Sequence, residues 1–198
     1  MKSSAKSFPI VCVGGSAGGS IAYAQLLKSL PPDMGIAIVI VNHLTKTVAA
    51  LHKILPRSTT MPVELITEGL PIQPNHVFII PSNSELHIQD GEFRLKAISK
   101  PKGWPDVITL FLCSLAQNWD GKLVAVIVSG LDADGAKAMK TIKEVGGITI
   151  AQKPETAEWS DMPESAIKTG YVDFVLSVED IAREIVRIAH AHRHPQPE

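Results

Sequence analysis

Apolar residues gather along the chain into short β-branched runs, separated by longer stretches in which they recur at every third or fourth position. The short runs are PIVCV (9–13), GIAIVIV (35–41), HVFII (76–80), KLVAVIV (122–128) and GITIA (147–151). None has the alternation that leaves one face for water, which is how strands covered on both faces read. Between them SIAYAQLLKSL (20–30), DVITLFLCSLAQN (106–118) and GAKAMKTIKEVGG (135–147) carry helical spacing, the last stopped by Gly146 and Gly147. This alternation predicts an α/β fold: an open, Rossmann-like, doubly wound sheet that is mostly parallel. One segment departs from it. ELHIQDGEFRLKAI (85–98) alternates apolar and polar residues on both sides of Asp90-Gly91, so an antiparallel hairpin attached to the parallel sheet is expected. A last helix, VEDIAREIVRIAHAH (178–192), begins behind Ser177, a good N-cap.

Length and charge narrow the classes of function. A chain of 198 residues, 45% of them hydrophobic, buries one sizeable core, and no linker divides it. One domain over residues 8–192 is expected, with 193–198 as a polar tail. Nineteen basic and twenty acidic residues leave a formal charge of -1, so no broad cationic surface for nucleic acid or anionic lipid is implied. No apolar run approaches a membrane span, and the stretch behind MKSSAKSF is cut short by Gly14 and Gly15, which makes a poor signal peptide. No membrane insertion and a cytoplasmic location are expected. Cys12 and Cys113 lack metal-ligand spacing, and Cys12 sits in an apolar run where a reduced, buried thiol belongs. His190, His192 and His194 lie on a fraying end without a fourth ligand, so no metal is assigned. Trp104, Trp119 and Trp159 stand in or beside loops, where they plug a core edge or line a groove.

Candidate chemistry centres on residues 11–20, VCVGGSAGGS, which set four glycines around Ser16 directly behind the first predicted strand. A dinucleotide fingerprint needs glycine where Ser16 stands and an acid at the end of the second strand, which instead ends Val41-Asn42-His43. The Walker pattern fails because no Gly-Lys-Ser or Gly-Lys-Thr follows. Gly14-Gly15-Ser16-Ala17-Gly18 does match G-x-S-x-G, in which flanking glycines let a serine turn sharply from strand to helix with its hydroxyl exposed. A tight turn or an anion nest is the plainer reading of so short a pattern. The ends of the other strands add to it. The second strand delivers His43, and the strand at 122–128 delivers Ser129-Gly130-Leu131-Asp132-Ala133-Asp134-Gly135. Parallel strands end at one edge, where open α/β sheets hold their ligands, so a serine, a histidine and an aspartate converge there. Serine is a poor nucleophile until an imidazole takes its proton, and the imidazole needs a carboxylate to fix its tautomer. The Ala17 N–H at the start of the following helix is placed to stabilise an oxyanion. Asp132 and Asp134 also suit simple helix caps or turns. The chain order Ser, His, Asp differs from that of the α/β-hydrolases.

Taken together, VGGSAGG, Asn42-His43-Leu44, SGLDADGAKAM and IAQKPETAEWSDMPESAIKTGYVDFVL resemble the catalytic domain of CheB, the protein-glutamate methylesterase of bacterial chemotaxis, from about Ile10 to the final helix. The resemblance implies hydrolysis of γ-glutamyl methyl esters on chemoreceptor signalling helices or a related receptor-like protein, release of methanol, and deamidation of receptor glutamines. It puts Ser16 on the nucleophile, His43 on the general base, Asp134 on the orienting acid, and Ala17 and Leu131 on oxyanion and substrate-binding positions, with no metal or organic cofactor. Ala17 stands where some members carry threonine, Leu131 replaces a frequent methionine, and Asp132 replaces a frequent glycine, adding a carboxylate that competes for His43. Residues 102–108, Lys-Gly-Trp-Pro-Asp-Val-Ile, lack the arginines expected of receptor-specific members. No receiver domain is expected before the first strand, so a regulatory partner, or fusion to a receiver or methyltransferase, takes its place. Two other classes remain open at this stage: a serine hydrolase or amidase acting on a small ester, and a non-catalytic anion-binding module.

Overall fold

A computed structural model describes residues 8–42, 45–98 and 106–194, with the side chains of 45–49 outside that description. Seven strands form one sheet: β1 (Ile10–Gly15), β2 (Ala37–Asn42), β3 (Val63–Leu65), β4 (His76–Ile79), β7 (Leu123–Ile127), β8 (Ile148–Gln152) and β9 (Phe174–Leu176). Their spatial order is β3-β4-β2-β1-β7-β8-β9, and every pairing is parallel. The five predicted strands are the five innermost, in the predicted places. Every residue of β1, β2 and β7 is buried, as their uniform apolar character requires. The short edge strands β3 and β9 are partly exposed, and their weak pattern hid them in the sequence.

The hairpin is present but stands apart. β5 (Ser84–Gln89) and β6 (Glu92–Ala97) form a two-stranded sheet of their own, turning at Asp90 and Gly91, both at positive φ as that tight turn demands. It packs on helix α3 (Val107–Asn118), with the Ile88 N–H donating to Ser114 Oγ at 2.9 Å. The other helices are α1 (Gly19–Lys28), α2 (Thr45–Ile54), α4 (Ala138–Glu144), α5 (Asp161–Lys168) and α6 (Val178–Arg193). Ser177 caps α6 as predicted, accepting from the Asp180 N–H at 3.2 Å. Helices α1 and α3 lie on opposite faces of the sheet. Successive residues of β1 point to opposite faces, and a Cβ on Gly14 would meet Ile108 of α3, whereas one on Gly15 would meet the Tyr23 hydroxyl of α1. That is the doubly wound arrangement.

Strand order then locates the site. From β1 the chain builds outward through β2 to β4 on one side and returns to pair β7 against β1 on the other. The order therefore reverses at β1. In open α/β sheets the crevice at such a switch point, beyond the C-terminal ends of the strands, is where ligands bind.

Candidate active site

Ser16 leaves β1 at that switch point. Its N–H donates to the Ser129 carbonyl at 2.9 Å, and its own carbonyl accepts from the Gly19 N–H at 3.1 Å and from Asn42 Nδ2 at 3.2 Å. Gly18, at φ 73°, completes the reversal into α1, a conformation that favours glycine. The sequence pattern placed an exposed hydroxyl here, and the structure differs: Ser16 is 1% exposed. Its Cβ packs against Gly130, where an added Cβ would come within 3.0 Å of it and within 1.9 Å of Met162 Sδ. The Met162 N–H donates to the Gly130 carbonyl at 3.0 Å, which holds the start of α5 over the turn. Only a residue without a side chain fits between the two.

Asp134 lies in the loop after β7, 5% exposed and densely hydrogen bonded. Its Oδ1 accepts from the Thr109 N–H (2.9 Å), the Thr109 hydroxyl (2.8 Å) and the Gly135 N–H (2.7 Å), while Oδ2 accepts from the Ile108 N–H at 2.8 Å. The carboxylate therefore caps α3, the helix before its own loop and not the one after it. An acceptor at a helix N-terminus also meets the positive end of the helix dipole. Asp132 Oδ1 accepts the Asp134 N–H at 2.7 Å, so the second carboxylate shapes the loop that presents the first. Cys12, on β1, is fully buried, and burial first and the negative charge of Asp134 second push its thiol well above the ordinary range. That thiol is held neutral and is a packing group.

Two of the three residues expected to converge are thus at the same edge. Asn42, which pairs with Gly15 in the register of β1 and β2, ends the described part of β2, and His43 lies outside the described residues, as does Trp104. Leu131 is 42% exposed beyond β7, and Trp159 is 43% exposed with its N–H donating to Ser129 Oγ at 3.0 Å. Trp119 is elsewhere: it packs edge-on against Phe8 and donates Nε1–H to the Phe8 carbonyl at 3.0 Å, plugging the opposite end of the sheet. The rings of His190 and His194 lie 4.8 Å apart, tilted by 46°, at the C-terminal end of α6, and no cluster of His, Cys, Asp and Glu suited to a metal ion occurs among the described residues. No helix among them is long and apolar enough to cross a membrane.

The switch point thus holds a serine at the end of β1 and, at the next strand end, a carboxylate fixed on the first turn of α3. The model of the CheB methylesterase family matches residues 11–185. The chain belongs to that family. A putative protein-glutamate methylesterase/protein-glutamine glutaminase of Leptospira interrogans is 34% identical over 185 residues, covering 92% of this chain and 95% of the relative. Protein-glutamate methylesterase/protein-glutamine glutaminase 4 of Burkholderia thailandensis is 31% identical over 188 residues; the match takes in 93% of this chain but 55% of that protein. The crystal structure of the Thermotoga maritima CheB methylesterase catalytic domain superposes with a TM-score of 0.85 at 29% identity, over 93% of this chain and all of that one.

The family membership does not exhaust what the site contains. Asn42, Tyr23, Ser129 and Gln152 form a buried polar network around the Ser16 turn, and sequence reasoning gave none of them a role. A signal was there: Asn42 and Ser129 are each the first polar residue after an uninterrupted apolar strand run, and Gln152 is the polar residue that ends β8, at the edge where the site was already expected.

Proposed function

We propose that the chain hydrolyses γ-methyl esters of glutamate on receptor helices, with glutamine deamidation as the related reaction, and that Ser16, His43 and Asp134 carry the chemistry. The observation that carries this reading is the position of Ser16, on the turn from β1 to α1 at the one point where the strand order reverses. The activity for which the relatives are named supports the substrate class. Residues 8–192 form the catalytic unit.

Ser16 Oγ attacks the ester carbonyl as His43 takes its proton, giving a tetrahedral oxyanion that the Ala17 N–H stabilises. Collapse breaks the bond to the methoxy oxygen, to which His43 returns the proton, so methanol leaves and a glutamyl ester of Ser16 remains. Water attacks that ester with His43 again as base, releasing the glutamate side chain and restoring Ser16. With a glutamine the leaving group is ammonia. Asp134 orients the imidazole, and because its oxygens are anchored on the first turn of α3, the orientation is set by a helix and not by a mobile loop. Leu131 and Trp159 flank the entrance and offer apolar contact to a helical substrate.

The test is methanol release from methylated receptor cytoplasmic fragments by the parent chain and by Ser16→Ala. Release by the parent alone establishes nucleophile and substrate class together. Equal release by both removes Ser16 from the reaction. Turnover of simple esters with none on receptor fragments replaces the substrate class by a small ester.

A further inference from the structure

Three consecutive peptide groups at the nucleophile are each held by an atom from another strand end. The Ser129 carbonyl accepts the Ser16 N–H, Asn42 Nδ2 donates to the Ser16 carbonyl at 3.2 Å, and Ser129 Oγ donates to the Ala17 carbonyl at 2.8 Å. A trans peptide is planar and carries its N–H opposite its C=O. Fixing the Ser16 carbonyl therefore aims the Ala17 N–H the other way, and fixing the Ala17 carbonyl removes the remaining freedom of that residue. Among the described residues the Ala17 N–H has no acceptor. The turn thus holds its acceptors firmly and leaves this donor for something else.

The two holding side chains are themselves held. Asn42 Nδ2 also donates to the Tyr23 hydroxyl at 3.1 Å, and Asn42 and Tyr23 are both buried. The Ser129 N–H donates to Gln152 Oε1 at 3.0 Å. Ser129 Oγ accepts the Trp159 N–H at 3.0 Å, so its single proton is directed to the Ala17 carbonyl. Gln152 Nε2 in turn donates to the Thr156 carbonyl at 3.0 Å. Side chains at the ends of β2 and β7 thus hold two successive peptide units of the turn after β1, and Gln152 at the end of β8 holds Ser129.

We propose that Ser129 and Asn42 are positioning residues that aim the Ala17 N–H at the oxyanion formed when Ser16 attacks, so that they act on turnover and not on substrate binding. This rests on Ser16 being the nucleophile. Preorganised donors contribute because they need not reorient as charge develops, and losing one outright typically costs about 10²–10³-fold in kcat. A donor that is present but loosely aimed loses part of that.

The experiment measures methanol release from methylated receptor fragments by Ser129→Ala, Ser129→Thr, Tyr23→Phe and Ser16→Ala, each assayed well below its own thermal midpoint. Ser129→Ala is expected to lower kcat about 10-fold with KM within about twofold of the parent, and Ser129→Thr, which keeps the hydroxyl, to restore most of it. Tyr23→Phe, which removes one hydrogen-bond partner of Asn42, lowers kcat by about threefold at unchanged KM. The proposal is overturned if Ser129→Ala keeps the parent kcat while Ser16→Ala is inactive, if KM carries the loss, or if Ser129→Thr is as impaired as Ser129→Ala. Full activity in Ser16→Ala defeats the nucleophile reading itself.

Discussion

Two loops leave the sheet side by side at the switch point, residues 16–18 after β1 and 128–137 after β7, and they handle their polar groups in opposite ways. In the first, Ser16 and Ala17 have their backbone groups held by atoms from elsewhere: Ser129, Asn42 and the start of α1. In the second, side chains reach out to hold other segments, Ser129 the Ala17 carbonyl and Asp134 the first N–H groups of α3. A turn made of Gly, Ser and Ala is small enough to fit the crevice, and its backbone is held from outside. Its geometry is set by the neighbouring loop. The backbone of this turn therefore depends more on its neighbours than on its own side chains.

The largest effect expected from this difference is on Ser16. Ser16→Ala should reduce methanol release by about 10³-fold or more, while its thermal midpoint stays within about 2 °C of the parent, since no hydrogen bond in which the Ser16 backbone takes part is lost. A large fall in midpoint would show that the hydroxyl is structural. Asp134→Ala should damage both quantities, because the buried N–H groups of Ile108, Thr109 and Gly135 and the Thr109 hydroxyl lose their acceptor, at a cost of about 2–4 kcal/mol in urea unfolding. Asp134→Asn separates the two roles. It keeps one acceptor oxygen and loses less stability, yet turnover falls steeply because an amide oxygen cannot support an imidazolium. If Asp132→Asn proves the more damaging to turnover, the orienting acid is Asp132. Gly130→Ala comes next, a methyl forced against Met162 Sδ and Ser16 Cβ, and overpacking of this kind costs about 1–3 kcal/mol. Here a shorter side chain at position 162 should recover part of the loss in a double variant, which would place the clash where the geometry puts it.

Much of this was legible in the sequence, for identifiable reasons. Uniform apolar runs told the five central strands from everything else because burial on both faces leaves no polar positions, and parallel order then brought Ser16 and Asp134 to one edge. The edge strands were hidden, since Phe174–Leu176 and Val63–Leu65 are three residues long and half exposed. Helix α5 was hidden by Pro163 and by its short, polar segment. The hairpin was visible through Asp90-Gly91, but its separation from the main sheet was not, because alternation along a strand says nothing about which partner covers it. The role of Asp134 as a cap for α3 depends on a contact 25 and 26 residues back along the chain, with Thr109 and Ile108, which no local pattern encodes. The burial of Ser16 was likewise unreadable, as it follows from Gly130 and Met162 closing over the turn.

The entrance offers a smaller and cleaner contrast. Leu131 and Trp159 are 42% and 43% exposed beyond the strand ends, so Leu131→Ala and Trp159→Ala forfeit only their buried part and should each lower stability by about 1–2 kcal/mol. If they contact the receptor helix, KM for receptor fragments rises several-fold while kcat is kept, the reverse of the pattern expected for Ser129. Unchanged KM in both would move the substrate contact to another part of the edge.

The smallest effect lies away from the edge and has to be removed before any pH profile of the site is interpreted. His87, on β5, faces Arg94 across the hairpin, and its Nε2 is buried 3.9 Å from Glu85 Oε2. Burial first, and then the Lys96 ammonium, hold its pKa below the ordinary 6.5, outweighing the opposing pull of Glu85. The unfolded chain therefore takes up a proton near pH 6.5 that the folded chain refuses until the pH is lower. As pH falls through that window the unfolded state binds more protons, so stability decreases; above it the contribution is constant. One proton limits the slope to about 1.4 kcal/mol per pH unit, and partial exposure reduces it. His87→Gln should flatten the thermal midpoint between pH 7 and 5 without altering turnover at pH 7. Identical pH curves for parent and variant would transfer the acid sensitivity to the strand ends, where a titrating histidine would alter rate and stability together.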